Sequence, residues 1–183
     1  MKSNMLNNKK ILLGVTGSIA AYKAAFLIRL LVKQNNDVKV LMTESAKDFI
    51  TPLTLATLSK KPINLSFFDA QSGLWTSHVD LGEWADLYLI APATANTIAK
   101  MATGVCDNLL LATYLSASCK IFIAPAMDRN MYMHQATQNN IKLLEKRGNI
   151  IIPVVYGELA SGLTGEGKMA EPEDIMKQVA LHF

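Results

Sequence analysis

The amino-acid sequence predicts an α/β protein with a parallel sheet sandwiched between two layers of helices. Two observations carry that expectation. Short, β-rich apolar runs alternate with helix-period segments along the chain, the pattern that repeated strand–helix–strand units leave in a sequence. The clearest run, Ile11-Leu12-Leu13-Gly14-Val15, is continuously apolar rather than alternating, which suits a strand covered on both faces. Half of the 183 residues are apolar and 18% are charged. That is enough for one sizeable core, and it argues against disorder.

The first strand, residues 11–15, runs into Thr16-Gly17-Ser18, a turn with a helix cap. A helix is expected over 19–33, with Leu27, Leu30 and Leu31 inward and Lys23, Arg29 and Lys33 elsewhere. Residues 38–42 form the second strand, Thr43-Glu44-Ser45 opens a helix through Phe49, and Pro52 opens another. Residues 62–80 read as loop with some strand. Residues 87–91 are the third clear strand, followed by helices over 95–101 and 108–115. Residues 120–124 are a strand stopped by Pro125, 137–147 an amphipathic helix, and 150–152 a last strand. The stretch 153–168 reads as glycine-rich loop, and a helix with Pro172 in its first turn closes the chain. The expected architecture is a three-layer Rossmann-like (flavodoxin-like) parallel sheet with helices on both faces, in a single domain spanning 1–183.

Several function classes fall away on composition. The 18 Lys and Arg against 15 Asp and Glu form no basic stripe, so nucleic acid is not an expected partner. Two cysteines and three histidines lack disulfide-scaffold or metal-ligand spacing, so no metal is expected. The basic start is followed by too short an apolar stretch for a signal peptide or membrane span. The expectation is a soluble cytoplasmic protein with no membrane partner.

Open α/β sheets bind ligands beyond the carboxyl ends of their strands, and three such ends carry unusual residues. Gly14 to Ala20 offers close backbone approach and the free N–H groups of a helix start, suited to an anion; the plain alternative is a turn and cap. Ala91 to Thr97 offers hydroxyl and amide groups without charge, or simply a capped helix. Ala124 to Tyr132 puts a proline and bulky side chains directly after a strand, or a structured loop. His78 sits in a loop setting near Asp80, which could orient it as a base. His134 and His182 read as surface residues.

Together these segments resemble the homo-oligomeric flavin-containing cysteine decarboxylases, and within them the phosphopantothenoylcysteine decarboxylases that form the N-terminal half of bacterial bifunctional coenzyme A biosynthesis flavoproteins. The landmarks are GVTGSIAAYKA (14–24), MTESAKDFITP (42–52), SHVDLGEWADL (77–87), IAPATANTIAKMATG (90–104), APAMDRNMY (124–132) and GELASGLTGEGKMAEPE (157–173). The resemblance implies FMN bound between protomers of a homo-oligomer, either a trimer or a dodecamer of trimers. It implies Gly17, Ser18 and Ile19 at the cofactor phosphate. Thr43, Glu44, Ser45 and Phe49 would line the flavin, Thr94, Ala95, Asn96 and Thr97 would give polar contacts, and Ala126 would approach the ring. His78 would be catalytic, with Ser161 in the proton donor's place. Asp128, Met131 and Ala160 would meet the substrate.

Such enzymes oxidise the cysteine thiol end to a thioaldehyde, whose C=S group draws electrons from the departing carboxylate; hydride then returns to the enethiol. The expected substrate is therefore phosphopantothenoylcysteine, and the product phosphopantetheine. Two positions depart from the family pattern. Asp128 stands where the Pro-x-Met-Asn clamp has asparagine, and Ser161 where the family's late loop has cysteine. An ionised Asp128 beside a substrate carboxylate ~4 Å away would cost ~4 kcal/mol at an effective dielectric of ~20, so Asp128 must be protonated, paired or otherwise engaged. Serine is a far weaker acid than cysteine. Three readings follow: a working decarboxylase with a rearranged clamp and donor, a relative acting on peptide C-terminal cysteine, or a non-catalytic flavoprotein. The chain ends at Phe183, without the ligase half of the bifunctional relatives, as a stand-alone enzyme or an excised half would.

Overall fold

A computed structural model describes residues 6–183 apart from Ala70. Six parallel strands form the central sheet: β1 (Lys10–Val15), β2 (Asp37–Met42), β3 (Ile63–Asn64), β4 (Leu87–Ala93), β5 (Lys120–Pro125) and β6 (Ile150–Ile151), in the order β3-β2-β1-β4-β5-β6. This is the doubly wound order, in which the chain reverses direction across the sheet between β1 and β4. β4 is buried at all seven residues, as its unbroken apolar run requires.

Each face of the sheet has its own core. α1 (Tyr22–Lys33), α2 (Pro52–Ser59) and α8 (Pro172–Ala180) pack Leu27, Ile28, Leu55 and Ile175 onto Ile11, Leu13 and Val40. On the other face α3 (His78–Trp84), α4 (Ala95–Thr103), α5 (Leu109–Ser116) and α7 (Gln135–Lys146) pack Leu81, Ile98, Leu110 and Leu144 onto Leu12, Tyr88 and Ile123. None of the helices of the described residues is long and apolar enough to cross a membrane.

The expected elements are present, with four differences. The helix expected over 43–49 is a 3-10 turn, Glu44–Asp48. Residues 78–84, of which 78–80 belong to the stretch read as loop with some strand and 81–84 fall in no expected element, form α3: the Ser77 hydroxyl caps it by accepting from the Asp80 N–H at 3.1 Å. Gly82 disguised that helix. It lies against α5, where a Cβ would come within 2.9 Å of the Ser116 backbone. A short helix, α6 (Arg129–Met133), capped by Asp128, occupies the expected loop after β5. The glycine-rich stretch is an antiparallel hairpin of β7 (Val155–Glu158) and β8 (Thr164–Lys168). β8 reads Thr-Gly-Glu-Gly-Lys, with no apolar alternation to announce a strand.

Candidate active site

The carboxyl ends of β1 and β4 meet at the point where the strand order reverses, and one buried side chain joins them. The Thr16 hydroxyl donates to the Pro92 carbonyl at 2.8 Å and accepts from the Thr94 N–H at 3.1 Å. Beyond Thr16 the chain turns through Gly17 and Ser18 into a 3-10 turn, Ile19–Ala21, that leads into α1. Ser18 caps it, accepting from the Ala20 N–H at 3.2 Å. A Cβ at Gly17 would lie 2.6 Å from Ser45 Oγ and 3.0 Å from the Ser45 backbone. Only glycine brings the first turn this close to the end of β2. Thr43 and Ser45 hydroxyls lie 3.2 Å apart. Thr94 caps α4, accepting from the Thr97 N–H at 3.3 Å, and Asn96 beside it is exposed.

A cavity of about 570 Å³ opens on this side of the sheet. Ser18, Ile19 and Ala20 form part of its wall, with Ala126, Met127 and Asp128 from the end of β5 and Glu158 to Ser161 from the hairpin. Two hydrogen bonds tie the strand end to neighbours: the Ala126 N–H donates to Ala93 O at 3.0 Å and the Met127 N–H to Gly167 O at 3.1 Å. Gly167, at φ +128°, allows that approach, because a Cβ would collide with Met127 O.

The two residues that depart from the family pattern touch each other. The Ser161 hydroxyl donates to Asp128 Oδ2. Asp128 Oδ1 accepts from the Asn130 N–H at 3.4 Å as it caps α6. Arg129 forms no ion pair with Asp128 among the described residues; its side-chain stem lies against Gly165.

Of the residues singled out from the sequence, Ser18, Ile19, Ala126, Asp128, Ala160 and Ser161 line this cavity. Gly17, Thr43, Glu44, Ser45, Phe49 and the Thr94–Thr97 start of α4 are not among its lining residues, although Gly17 touches Ser45 and Thr16 holds Thr94. Met131 and His78 do not line it either. His78 is the first residue of α3, not a loop residue. Its ring packs edge-on against Phe67, and its Nδ1 is buried without a hydrogen-bond partner among the described residues. Asp80 therefore does not orient it.

Sequence reasoning missed Lys23 and Lys168, both of which line the cavity. Lys23 is buried at 3% exposure. Its ammonium donates to Met169 O at 2.9 Å and to Glu171 at 2.8 Å. The spacing Lys23, Leu27, Leu31 was the signal, since residues four apart share one helix face. Both lysines stand inside the landmark segments already quoted.

A doubly wound sheet with an anion-suited helix start at its switch point is the architecture of nucleotide and flavin proteins. The chain belongs to the Flavoprotein family, which matches residues 1–182. It is 66% identical over 134 residues to a Cysteine/Cysteine sulfinic acid decarboxylase from an unknown prokaryotic organism, covering 73% of this chain and 37% of that protein. It is 45% identical over 179 residues to the Coenzyme A biosynthesis bifunctional protein CoaBC of Bacillus subtilis (strain 168), covering 98% of this chain and 44% of that protein. The chain thus spans less than half the length of these relatives. Among solved structures, a mutant PPC decarboxylase complexed with pantothenoylaminoethenethiol superposes with a TM-score of 0.84 at 32% identity, covering 96% of this chain and 98% of that one.

Proposed function

We propose that this chain is an FMN-dependent carboxy-lyase that converts phosphopantothenoylcysteine to phosphopantetheine in coenzyme A biosynthesis. One observation carries the reading: a single cavity joins the Ser18–Ala20 helix start to the contacting pair Asp128 and Ser161. The first suits a cofactor phosphate, and the second a reacting acid.

The residues fit FMN. Gly17 lets the turn close onto Ser45, and Ser18 to Ala20 line the cavity at a helix start, where the first turn has N–H groups without intrahelical partners. Gly17, Ser18 and Ile19 would hold the phosphate. Thr43, Glu44, Ser45, Phe49 and Ala126 would border the ring, and Thr94, Ala95, Asn96 and Thr97 would supply polar contacts. When bound, FMN would supply reversible two-electron redox chemistry at the thiol-bearing carbon. His78, with its unpartnered Nδ1, is the proposed base for the thiol proton. Asp128, Met131 and Ala160 position the substrate, and Ser161 stands at the proton donor's place.

Residues 1–183 act as one flavoprotein domain, working in the cytoplasm. We expect a homo-oligomer, a trimer or a dodecamer of trimers. Ile19, Tyr22 and Phe26 support it: they form an exposed apolar stripe beside the cofactor turn, each more than half exposed, as a subunit contact would need.

A second reading is free cysteine or cysteine sulfinic acid as substrate, favoured by the 66% identical relative. The test is carbon dioxide release from phosphopantothenoylcysteine, free cysteine, cysteine sulfinic acid and a peptide ending in cysteine, each with FMN-loaded protein. Turnover of the first at least tenfold above the others is expected. Higher turnover of free cysteine would move the assignment to the second reading. A protein that takes up no FMN in a fluorescence titration would end both.

A further inference from the structure

Asp128 and Ser161 come from different parts of the fold, the end of β5 and the turn of the hairpin, yet they meet in the cavity wall. The direction of their bond matters. Ser161 has one hydroxyl proton, and it points at Asp128 Oδ2. While Asp128 is ionised, that proton is committed and Ser161 offers the cavity only lone pairs. Protonation of Asp128 reverses the bond. The carboxyl O–H then donates to Ser161 Oγ, and the serine proton is free to turn into the cavity.

A substrate carboxylate entering beside Asp128 drives that protonation, because two carboxylates sharing a site cannot both stay ionised without strong repulsion. The other charged groups around the pair do not neutralise it. Lys23 of α1 is held by Glu171, and the Arg129 stem lies on Gly165. Lys168 and Glu166 of β8 and Glu158 of β7 form no ion pair with Asp128 among the described residues.

We propose that Asp128 is the acid of the reaction: it takes up one proton as the substrate carboxylate enters and, once carbon dioxide has left, passes it through Ser161 Oγ to the carbon that lost it. The inference rests on the carboxy-lyase reading. The carbon–carboxylate bond breaks and its electron pair stays on the carbon conjugated with sulfur. The Ser161 proton moves to that carbon as the Asp128 proton moves to Ser161. Asp128 returns to carboxylate and serine is restored. The proton taken from solvent is the one that replacing a carboxylate by hydrogen consumes. The hydride removed earlier comes back in the same turnover, so no outside oxidant or reductant is needed.

The first test measures proton uptake without turnover. FMN-loaded protein is titrated calorimetrically with the analogue of phosphopantothenoylcysteine in which alanine replaces cysteine, in buffers of different ionisation enthalpy. Uptake approaching one proton per site is expected at neutral pH. Asp128→Asn should abolish it, and Ser161→Ala should keep it. Uptake unchanged in Asp128→Asn, or no uptake in the unmodified protein, overturns the proposal. A merely structural contact would weaken binding and leave the proton count alone.

The second test follows single turnover with phosphopantothenoylcysteine. Asp128→Asn and Ser161→Ala should still bleach the flavin and release carbon dioxide. Enethiol should then accumulate, with flavin reoxidation slowed about 10²-fold, the usual scale for losing a general acid. Adding Ser161→Cys to Asp128→Asn should restore reoxidation, because a thiol carries its own proton. Full-speed reoxidation in Asp128→Asn alone, or no restoration by cysteine, counts against the pair. If the unmodified protein neither bleaches nor releases carbon dioxide, the carboxy-lyase reading has failed instead, whatever the proton count.

Discussion

The two walls of the cavity are built on different physical terms. One wall is the carboxyl end of the sheet, where Thr16, Ala20 and Ala126 are buried and β1 and β4 are tied through Thr16. Its strands are hydrogen-bonded to neighbours on both sides and covered by helices on both faces. The other wall is the hairpin of β7 and β8, whose turn from Ala160 to Leu163 is exposed and whose Tyr156 is 70% exposed. A lone two-stranded hairpin is at best marginally stable in water, so this one depends on its anchors: the Met127 N–H on Gly167 O, and the Ser161 hydroxyl on Asp128. The contrast assigns work to each wall. A cofactor that stays bound belongs against the wall that opens only when the domain unfolds. A substrate that enters and leaves belongs under the wall that can open locally.

The hardest way to break that contrast is to attack the sheet end. Thr16→Val keeps the shape of the side chain but leaves the Pro92 carbonyl and the Thr94 N–H without their partner. Each buried polar group left unsatisfied costs about 1–3 kcal/mol. Denaturant unfolding should show that loss in the global free energy, and FMN titration should show weaker binding, since the α4 start moves with Thr94. Unchanged global stability would mean that the sheet end is no more rigid than the hairpin.

A smaller effect sharpens the same contrast by pH. Burial raises the Tyr88 hydroxyl well above the usual tyrosine range, and that hydroxyl donates to Leu110 O at 3.1 Å. The folded group holds its proton where the unfolded one gives it up. The stability it contributes is therefore complete below about pH 10 and declines above it, by up to about 1.4 kcal/mol per pH unit. Chemical unfolding between pH 9 and 11 should show this decline in the native protein and less of it in Tyr88→Phe. Hairpin amide exchange, corrected for the intrinsic rate, should not follow the same curve.

The same division explains what could be read from the sequence. The sheet was legible because β1, β4 and β5 carry their burial as apolar runs, and β2, interrupted by a half-buried Lys39, still ends on buried Val40, Leu41 and Met42. The hairpin was not, because β7 is largely exposed and the buried face of β8 consists of Gly165 and Gly167, which carry no apolar side chain to mark the period. α3 was hidden by Gly82, a packing glycine that counts against a helix until its neighbour is known. Near the site, the turn at Gly17 and the Ser18 cap were legible from turn chemistry. The Asp128–Ser161 contact was not, because it joins residues 33 positions apart through a hairpin that the pattern did not announce. Lys23 was misplaced for a different reason: a lysine is rarely buried unless paired, and its partner Glu171 lies 148 residues away.

The smallest expected effect lies at the hairpin turn. Gly162 adopts φ +82°, and a Cβ there would meet nothing within 4 Å among the described residues. Gly162→Ala therefore carries no clash, only the backbone cost of a left-handed conformation, roughly 1–2 kcal/mol for an ordinary L-residue. That cost is comparable to the local stability of a two-stranded hairpin and small beside that of the domain. If the hairpin opens by itself, the variant should unfold at almost the native midpoint. The amides of Leu159, Gly162 and Leu163, which form or border the turn's hydrogen bonds, should then exchange about tenfold faster, since ~1.4 kcal/mol is a factor of ten in an equilibrium. FMN affinity should be unchanged, because the cofactor wall is untouched, while the KM for substrate rises. A fall in global stability as large as the local cost would show that hairpin and sheet unfold as one unit. The two walls would then be a difference of exposure and not of mechanics.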